Sequence, residues 1–345
     1  MKDLEFDWPI LGQEKIKKFL QKSVKNESFT HAYLFYGPNN VGKTLTAKLF
    51  AKTLLCENYK KFREGASDSK LKVPCNQCSH CRQFEKNIHP DVNFLERELN
   101  SEGDDSKTQI SIKQVQGLQD KISKRAFLNS YKIVLVPQAD SLNEKASNSL
   151  LKTLEEPAQK TVIILIARSK NNLLDTIVSR CQSFSFSAVS KADIYDYLLG
   201  QSASRDQAKI FSRLALGRPT RAMRLLSNGD QYSALQDNQA GFLRALCGGV
   251  KEKFFFADEF SQKKKDDLLS DANEWSIVLR DLLLTEMGAA EKISNIHLAD
   301  DLLKLRGRFS CDHLTALLFG VESLRQDIIK NINIKLSLEN FFLKA

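Results

Sequence analysis

The chain has 345 residues, 42% apolar and 27% charged, with a formal net charge of +9. That is the composition of a water-soluble globular protein long enough for two or three domains. No basic head followed by an apolar core opens the sequence, and the most compact apolar run, 162–167, is far too short to span a bilayer, so a cytoplasmic protein is expected. The positive balance fits contact with nucleic acid, and equally a solvated basic surface.

In chain order, AYLF within 31–36 reads as a short strand entering a glycine-rich turn. A helix follows over 44–55, then a cysteine cluster and a strand around 92–95. After a polar acidic loop, 100–107, comes an amphipathic helix over 112–122 and a buried strand over 133–136. A helix over 144–155, a strand over 162–167, a helix or turn into 179–181 and a last strand carrying Phe184 and Phe186 complete the alternation. Strands alternating with helices predict a parallel sheet wound on both faces. Beyond residue 187 strand signals stop. Three short helices are expected over 191–199, 204–216 and 219–226, then an all-helical segment from 230 to 345 with a polar break at 263–267. The expected organisation is a nucleotide-binding α/β domain (1–187) with a metal module inserted at 56–81, a small helical domain (188–229) and a larger helical domain (230–345). Leu302, Leu305, Phe309, Leu314, Leu317 and Leu318 recur near the helical period, which suits a core or a partner surface equally well.

GPNNVGKT (37–44) matches G-x-x-x-x-G-K-[ST] completely. Gly37 and Gly42 permit a tight turn whose amides face phosphate oxygens, with Asn40 in the same loop. Lys43 places a cation near the outer phosphates, and Thr44 supplies a hydroxyl suited to magnesium. A strand before and a helix after give the motif its proper context. The competing reading is an inherited turn that no longer holds nucleotide.

There are seven cysteines, and Cys75, Cys78 and Cys81 lie at two-residue gaps with Cys56 upstream. An odd number with one tight cluster points to a metal rather than a disulfide framework. Four thiolates close a tetrahedral zinc site with no position left for water, so the expected role is structural. His80 and His89 are alternative ligands in place of Cys56.

Taken together, HAYLFYGPNNVGKT (31–44), the cysteine module, SNSLLKTLEEP (147–157) and VSRCQSFSF (178–186) resemble the bacterial DNA polymerase III clamp-loader subunits of the AAA+ superfamily. The ordered set spans residues 10–186, and LLKTLEEP followed by SRC at this separation is highly specific. The ending NINIKLSLENFFLKA resembles that of the delta-prime subunit. The resemblance implies a P-loop AAA+ α/β domain, a helical lid domain and a C-terminal all-α collar. It implies gamma/tau and delta subunits as partners, with the sliding clamp and primer-template DNA reached through the assembly. It also implies that Arg180 of Ser179-Arg180-Cys181 acts in trans, as a finger on a neighbour's ATP. The competing reading of Arg180 is a surface salt bridge. Glu155 and Glu156 read either as interface and helix-packing residues or as an exposed acidic helix end.

Three departures separate this chain from the motor subunit of that family. The motor's strand before LLKTLEEP ends in an Asp-Glu pair, where this chain has Pro137 and Gln138. Asp140 lies two residues further, where a continued strand register would aim it elsewhere. At the end of the next strand a threonine-rich sensor is replaced by Arg168 and Ser169. In GRPTRAM (217–223), Thr220 stands where the motor has its arginine, and Arg221 is one place off, a rotation of about 100° on a helix. The expectation is therefore a delta-prime-like subunit that binds ATP or ADP at most, with Pro137 unable to ligand magnesium, and lends Arg180 to its neighbour. The alternatives are an active gamma/tau-like ATPase that uses Asp140, and a nucleotide-gated zinc-binding regulator outside replication.

Overall fold

Two strands, KIVLV and TVIILIA, are buried at every position. In this computed structural model, which describes residues 3–65, 70–98, 109–123 and 131–345, they form the centre of a five-stranded sheet. The acidic loop 100–107 lies outside the described residues. The chain divides into two compact units, one ending at Ser190 and the other beginning at Lys191.

In the first unit, β1 (Asp3–Phe6), α1 (Glu14–Lys25), β2 (Ala32–Tyr36), α2 (Lys43–Leu55) and α3 (Glu57–Arg63) come first. Then follow β3 (Lys70–Val73), α4 (Ser79–Glu85), β4 (Val92–Phe94), α5 (Ile112–Ser123), β5 (Lys132–Val136), α6 (Glu144–Glu155), β6 (Thr161–Ala167), α7 (Asp175–Val178) and β7 (Gln182–Ser185). The main sheet is parallel throughout, in the order β4-β5-β6-β2-β7. One apolar cluster, including Phe35, Phe50, Ile133 and Ile164, fills one face, and another, including Leu34, Val134, Leu150 and Ile163, fills the other. Burial on both faces explains why β5 and β6 read as unbroken apolar runs rather than alternating ones. Lys132 fits such a strand because its amine donates to the Ile122 carbonyl at the end of α5 (2.8 Å). Helix α6 starts where the Asn143 side chain accepts from Ala146 N–H (2.8 Å). Its inward face carries Ala146, Leu150 and Leu154. Phe186 lies one residue past the end of β7, although its N–H still bonds the Tyr36 carbonyl (2.8 Å).

A second, two-stranded parallel sheet pairs β1 with β3, Leu4 opposite Leu71. It holds the inserted cysteine module against the first core, where Trp8 donates its indole N–H to Thr53 Oγ1 (3.0 Å).

The second unit is helical throughout its described elements. It runs α8 (Lys191–Gly200), α9 (Arg205–Leu214), α10 (Pro219–Ser227), α11 (Gly229–Cys247), α12 (Val250–Ser261), α13 (Lys265–Glu286), α14 (Ala299–Lys304), α15 (Cys311–Ile329) and α16 (Ile334–Lys344). Trp275 is fully buried at its centre, with Phe260 at 4.4 Å and Phe242 at 4.9 Å between ring centroids. Its indole N–H reaches Asn238 Oδ1 (2.9 Å), so the polar end of the largest core side chain is satisfied. Leu302, Leu314 and Leu317 are buried in this core, and Leu305, Phe309 and Leu318 pack against it. The stripe seen in the sequence is therefore core. The exposed apolar side chains of this unit are different ones, among them Val250, Phe255, Phe319, Leu336 and Leu343.

Candidate functional site

Strand β2 delivers the chain to Gly37, and α2 begins at Lys43, so the loop between them closes over the end of the sheet. Three of its residues have positive φ: Gly37 (138°), Asn40 (65°) and Gly42 (99°). A Cβ on Gly37 would lie 2.2 Å from the Phe186 carbonyl oxygen, so only glycine fits there. Around Gly42 a Cβ would meet nothing within 4 Å. Helix α2 carries no side-chain cap at its N-terminus. Its first-turn amides and the positive end of its dipole are thus free to meet an anion. Thr44 is exposed in that turn.

Lys43 is only 7% exposed. Its ammonium donates to the Gly37 and Pro38 carbonyls at 2.5 and 2.6 Å, which folds the side chain back over the loop. Burial pushes its pKa down to about 8; the charge of Asp140 opposes this shift and that of Arg168 adds to it. The loop, its lysine and open space at Gly42 fit a phosphate group.

Strand β5 ends at Val136, and Pro137 and Gln138 follow as expected. Gln138 is exposed, and its side-chain oxygen accepts from Arg97 Nε (2.8 Å). The placement of Asp140 departs from expectation. The chain does not continue its strand register but tightens into a 3₁₀ turn at Ala139–Ser141, closed by Ser141 N–H to the Gln138 carbonyl (2.9 Å). That turn brings Asp140 into the electrostatic field of Lys43. Arg168 directly follows β6, whose last residue Ala167 is paired with Tyr36.

The four cysteines come together. Their sulfurs all lie within 4.8 Å of one another, a spread that contains the roughly 3.8 Å edge of a tetrahedron with about 2.3 Å metal–sulfur bonds. Cys56 sits at the junction of α2 and α3, and Cys78 caps α4. Backbone N–H groups already point at three of the sulfurs: Cys75 N to Cys56 (3.3 Å), Cys78 N to Cys75 (3.4 Å) and Cys81 N to Cys78 (3.4 Å). Such donors favour thiolates. The Cys81 thiol, foremost, and the backbone amides of Cys75 and Asn58 pull the Cys56 thiol well below its ordinary range, against the opposing effect of burial. His80 and His89 bond to each other instead (Nδ1 to Nε2, 2.9 Å) and neither belongs to the sulfur cluster. The cluster is one that can hold a metal ion.

Arg180 follows α7. One arm of its guanidinium donates to the Thr176 carbonyl (2.9 Å) and the other meets Glu155 Oε1 at 2.5 Å. The Arg180 side chain remains 36% exposed. LLKTLEEP and SRC are therefore in contact through their charged residues, a pairing that sequence spacing alone does not signal. In the helical unit, Arg221 is bound to Glu274 of α13 (2.8 Å), and Thr220 is exposed.

Among the described residues no helix is long and apolar enough to cross a membrane. The sequence model of the family described as DNA polymerase III, delta subunit, matches residues 12–190. A DNA polymerase III subunit delta′ of Bacillus subtilis is 27% identical over 96% of this chain and 95% of its own length. A delta′ subunit of Pseudomonas aeruginosa is 33% identical over 58% of this chain and 56% of its own. The tau subunit of Bacillus subtilis is 32% identical over 54% of this chain but only 30% of its own. On the family match over more than half its length, this chain belongs to the DNA polymerase III delta subunit family.

Proposed function

We propose that the chain is the delta′-type member of a bacterial clamp loader, a subunit that holds nucleotide without hydrolysing it and completes the ATP site of a neighbour. The observation that carries this reading is the end of β5. Beside an intact phosphate loop, the two positions that would carry the hydrolytic acids are Pro137 and Gln138, and Gln138 is engaged by Arg97. Proline has no side-chain ligand for magnesium, and an amide cannot take a proton from water.

Gly37, Asn40, Gly42, Lys43 and Thr44 hold the phosphates of ATP or ADP in this reading. Arg180 is the residue that works on substrate, but in trans. Its exposed guanidinium stabilises charge building on the phosphoryl group of the adjoining subunit's ATP. Glu155 orients it for that purpose.

Cys56, Cys75, Cys78 and Cys81 bind one zinc ion, which fixes the inserted module as a structural element. The N–H···S pattern and the closed sulfur set support this. The lid (188–229) and the collar (230–345) make up the chain from just before the helical unit to its last residue. The collar's exposed Phe255, Phe319, Leu336 and Leu343 pack against gamma/tau and delta subunits. The clamp and primer-template DNA are met through the assembly, in the cytoplasm.

Asp140 favours a second reading, an active gamma/tau-like ATPase, because its charge reaches Lys43. ATP turnover by the chain alone separates the two. Under the first reading it is absent; under the second it is present and lost in Asp140→Asn.

A further inference from the structure

We propose that Arg168 replaces the divalent cation at the phosphate loop, so that the loop takes the phosphates of a nucleotide free of magnesium. This rests on the reading that the loop holds nucleotide, and it goes further in naming the ligand's ionic form and its second cationic partner.

The sheet register carries the argument. Tyr36 and Ala167 are the last paired residues of β2 and β6. Gly37 and Arg168 therefore leave neighbouring strands at the same level, about 4.8 Å apart in the hydrogen-bonding direction. In the same register Val136, the last residue of β5, lies opposite Leu165, and Pro137 and Gln138 follow it as the chain leaves the strand. The ends of three adjacent strands thus present a phosphate loop, a permanent cation, and a proline-glutamine pair in the place of acids.

Arg168 is exposed, and among the described residues no carboxylate pairs with it. Its charge nonetheless reaches the buried ammonium of Lys43. Two cations in one field repel each other, and that cost disappears when an anion lies between them. A guanidinium offers a planar fork of donors that matches two phosphate oxygens, and it keeps its charge at any physiological pH. A metal ion at the same place would need oxygen ligands and a carboxylate to anchor it. Asp140 is the one carboxylate whose charge registers at Lys43, whereas Arg168 is already fixed to the sheet.

The test is ADP binding to the full-length chain by calorimetry, once with excess EDTA and once with magnesium. The inference predicts that ADP binds in EDTA at least as tightly as with magnesium, which competes with the loop for the free nucleotide. Arg168→Ala should weaken binding in EDTA by about tenfold or more, the scale of a lost charge-assisted contact. Arg168→Lys should recover part of it, and Asp140→Asn should bind in EDTA at least as tightly as the parent. Circular dichroism checks that each variant is folded. Binding by the parent only when magnesium is present overturns this inference and leaves nucleotide holding intact. Equal affinities of parent and Arg168→Ala in EDTA also overturn it. No binding in either buffer overturns both.

Discussion

Arg180 of the SRC segment and Glu155 of LLKTLEEP form an ion pair at 2.5 Å, with both side chains more than a third exposed. Such a pair contributes little to stability, about 0–1 kcal/mol before screening by salt. In the proposed role its value lies in orientation: with the Thr176 carbonyl it gives the guanidinium two fixed partners. Glu155→Gln should leave the melting temperature of the isolated chain almost unchanged while lowering ATP turnover by the reconstituted loader. A fall in thermal stability with no change in turnover would assign the pair a structural role instead.

Arg180→Ala should leave ADP binding by this chain unaltered. At the neighbouring site that it serves, turnover should fall by about 10³-fold or more, the scale of a lost arginine finger. Mixed assemblies that contain a single active motor site make that one site readable. Unchanged turnover there would remove Arg180 from the mechanism.

The cysteine cluster predicts about one zinc per chain, bound through thiolates. Elemental analysis of folded, chelator-washed protein should find it. Cys78→Ser should lose the ion and lower the unfolding temperature. A folded protein without metal, equally stable after chelation, would reject the site.

Lys43 supplies a pH dependence whose sign is fixed. Its pKa is pushed down to about 8 in the free chain, whereas a bound phosphate favours the charged form and raises it. Well below pH 8 the lysine is protonated with or without ligand and adds no pH dependence to ADP binding beyond that of the phosphate itself. Above pH 8 binding must first recharge it, so affinity should fall by up to about tenfold per pH unit, with proton uptake. Calorimetry at pH 8.5 in buffers of different ionisation enthalpy measures that uptake. Proton release would contradict it.

Arg221 lies beside the expected sensor position but is committed to Glu274, whose side chain is 10% exposed. Arg221→Met should cost up to about 3 kcal/mol, because a largely buried carboxylate loses its cation and keeps only the Gln239 amide, and should not change ADP affinity. Loss of ADP affinity at unchanged stability would make Arg221 a nucleotide sensor after all.

Much of this was legible in the residues, for identifiable reasons. Strands β5 and β6 announce themselves because burial on both faces makes them continuous apolar runs. The phosphate loop and the cysteine spacing are local, and the fold only brings Cys56 to its three partners. Strands β1 and β3 were not legible. Each has only four residues, too short a run for its alternation to stand out, and they pair across more than sixty positions of chain. Helix α1 also went unread, although EKIKKFLQKSVK buries Ile16, Leu20 and Val24 on one face. The position of Asp140 depended on a three-residue 3₁₀ turn that no pattern specifies. The contact of Glu155 with Arg180 depends on how α6 packs beside α7, and the level of Arg168 with Gly37 on sheet register, visible only once the strands are aligned.

The central claim is that this subunit has lost hydrolysis at its own loop and serves its neighbour's. Steady-state ATP hydrolysis by the purified chain, measured beside the reconstituted loader, tests it most directly. The account predicts no turnover above background for the chain alone, and turnover in the assembly that drops with Arg180→Ala. Turnover by the chain alone that disappears with Lys43→Ala or Asp140→Asn would contradict it.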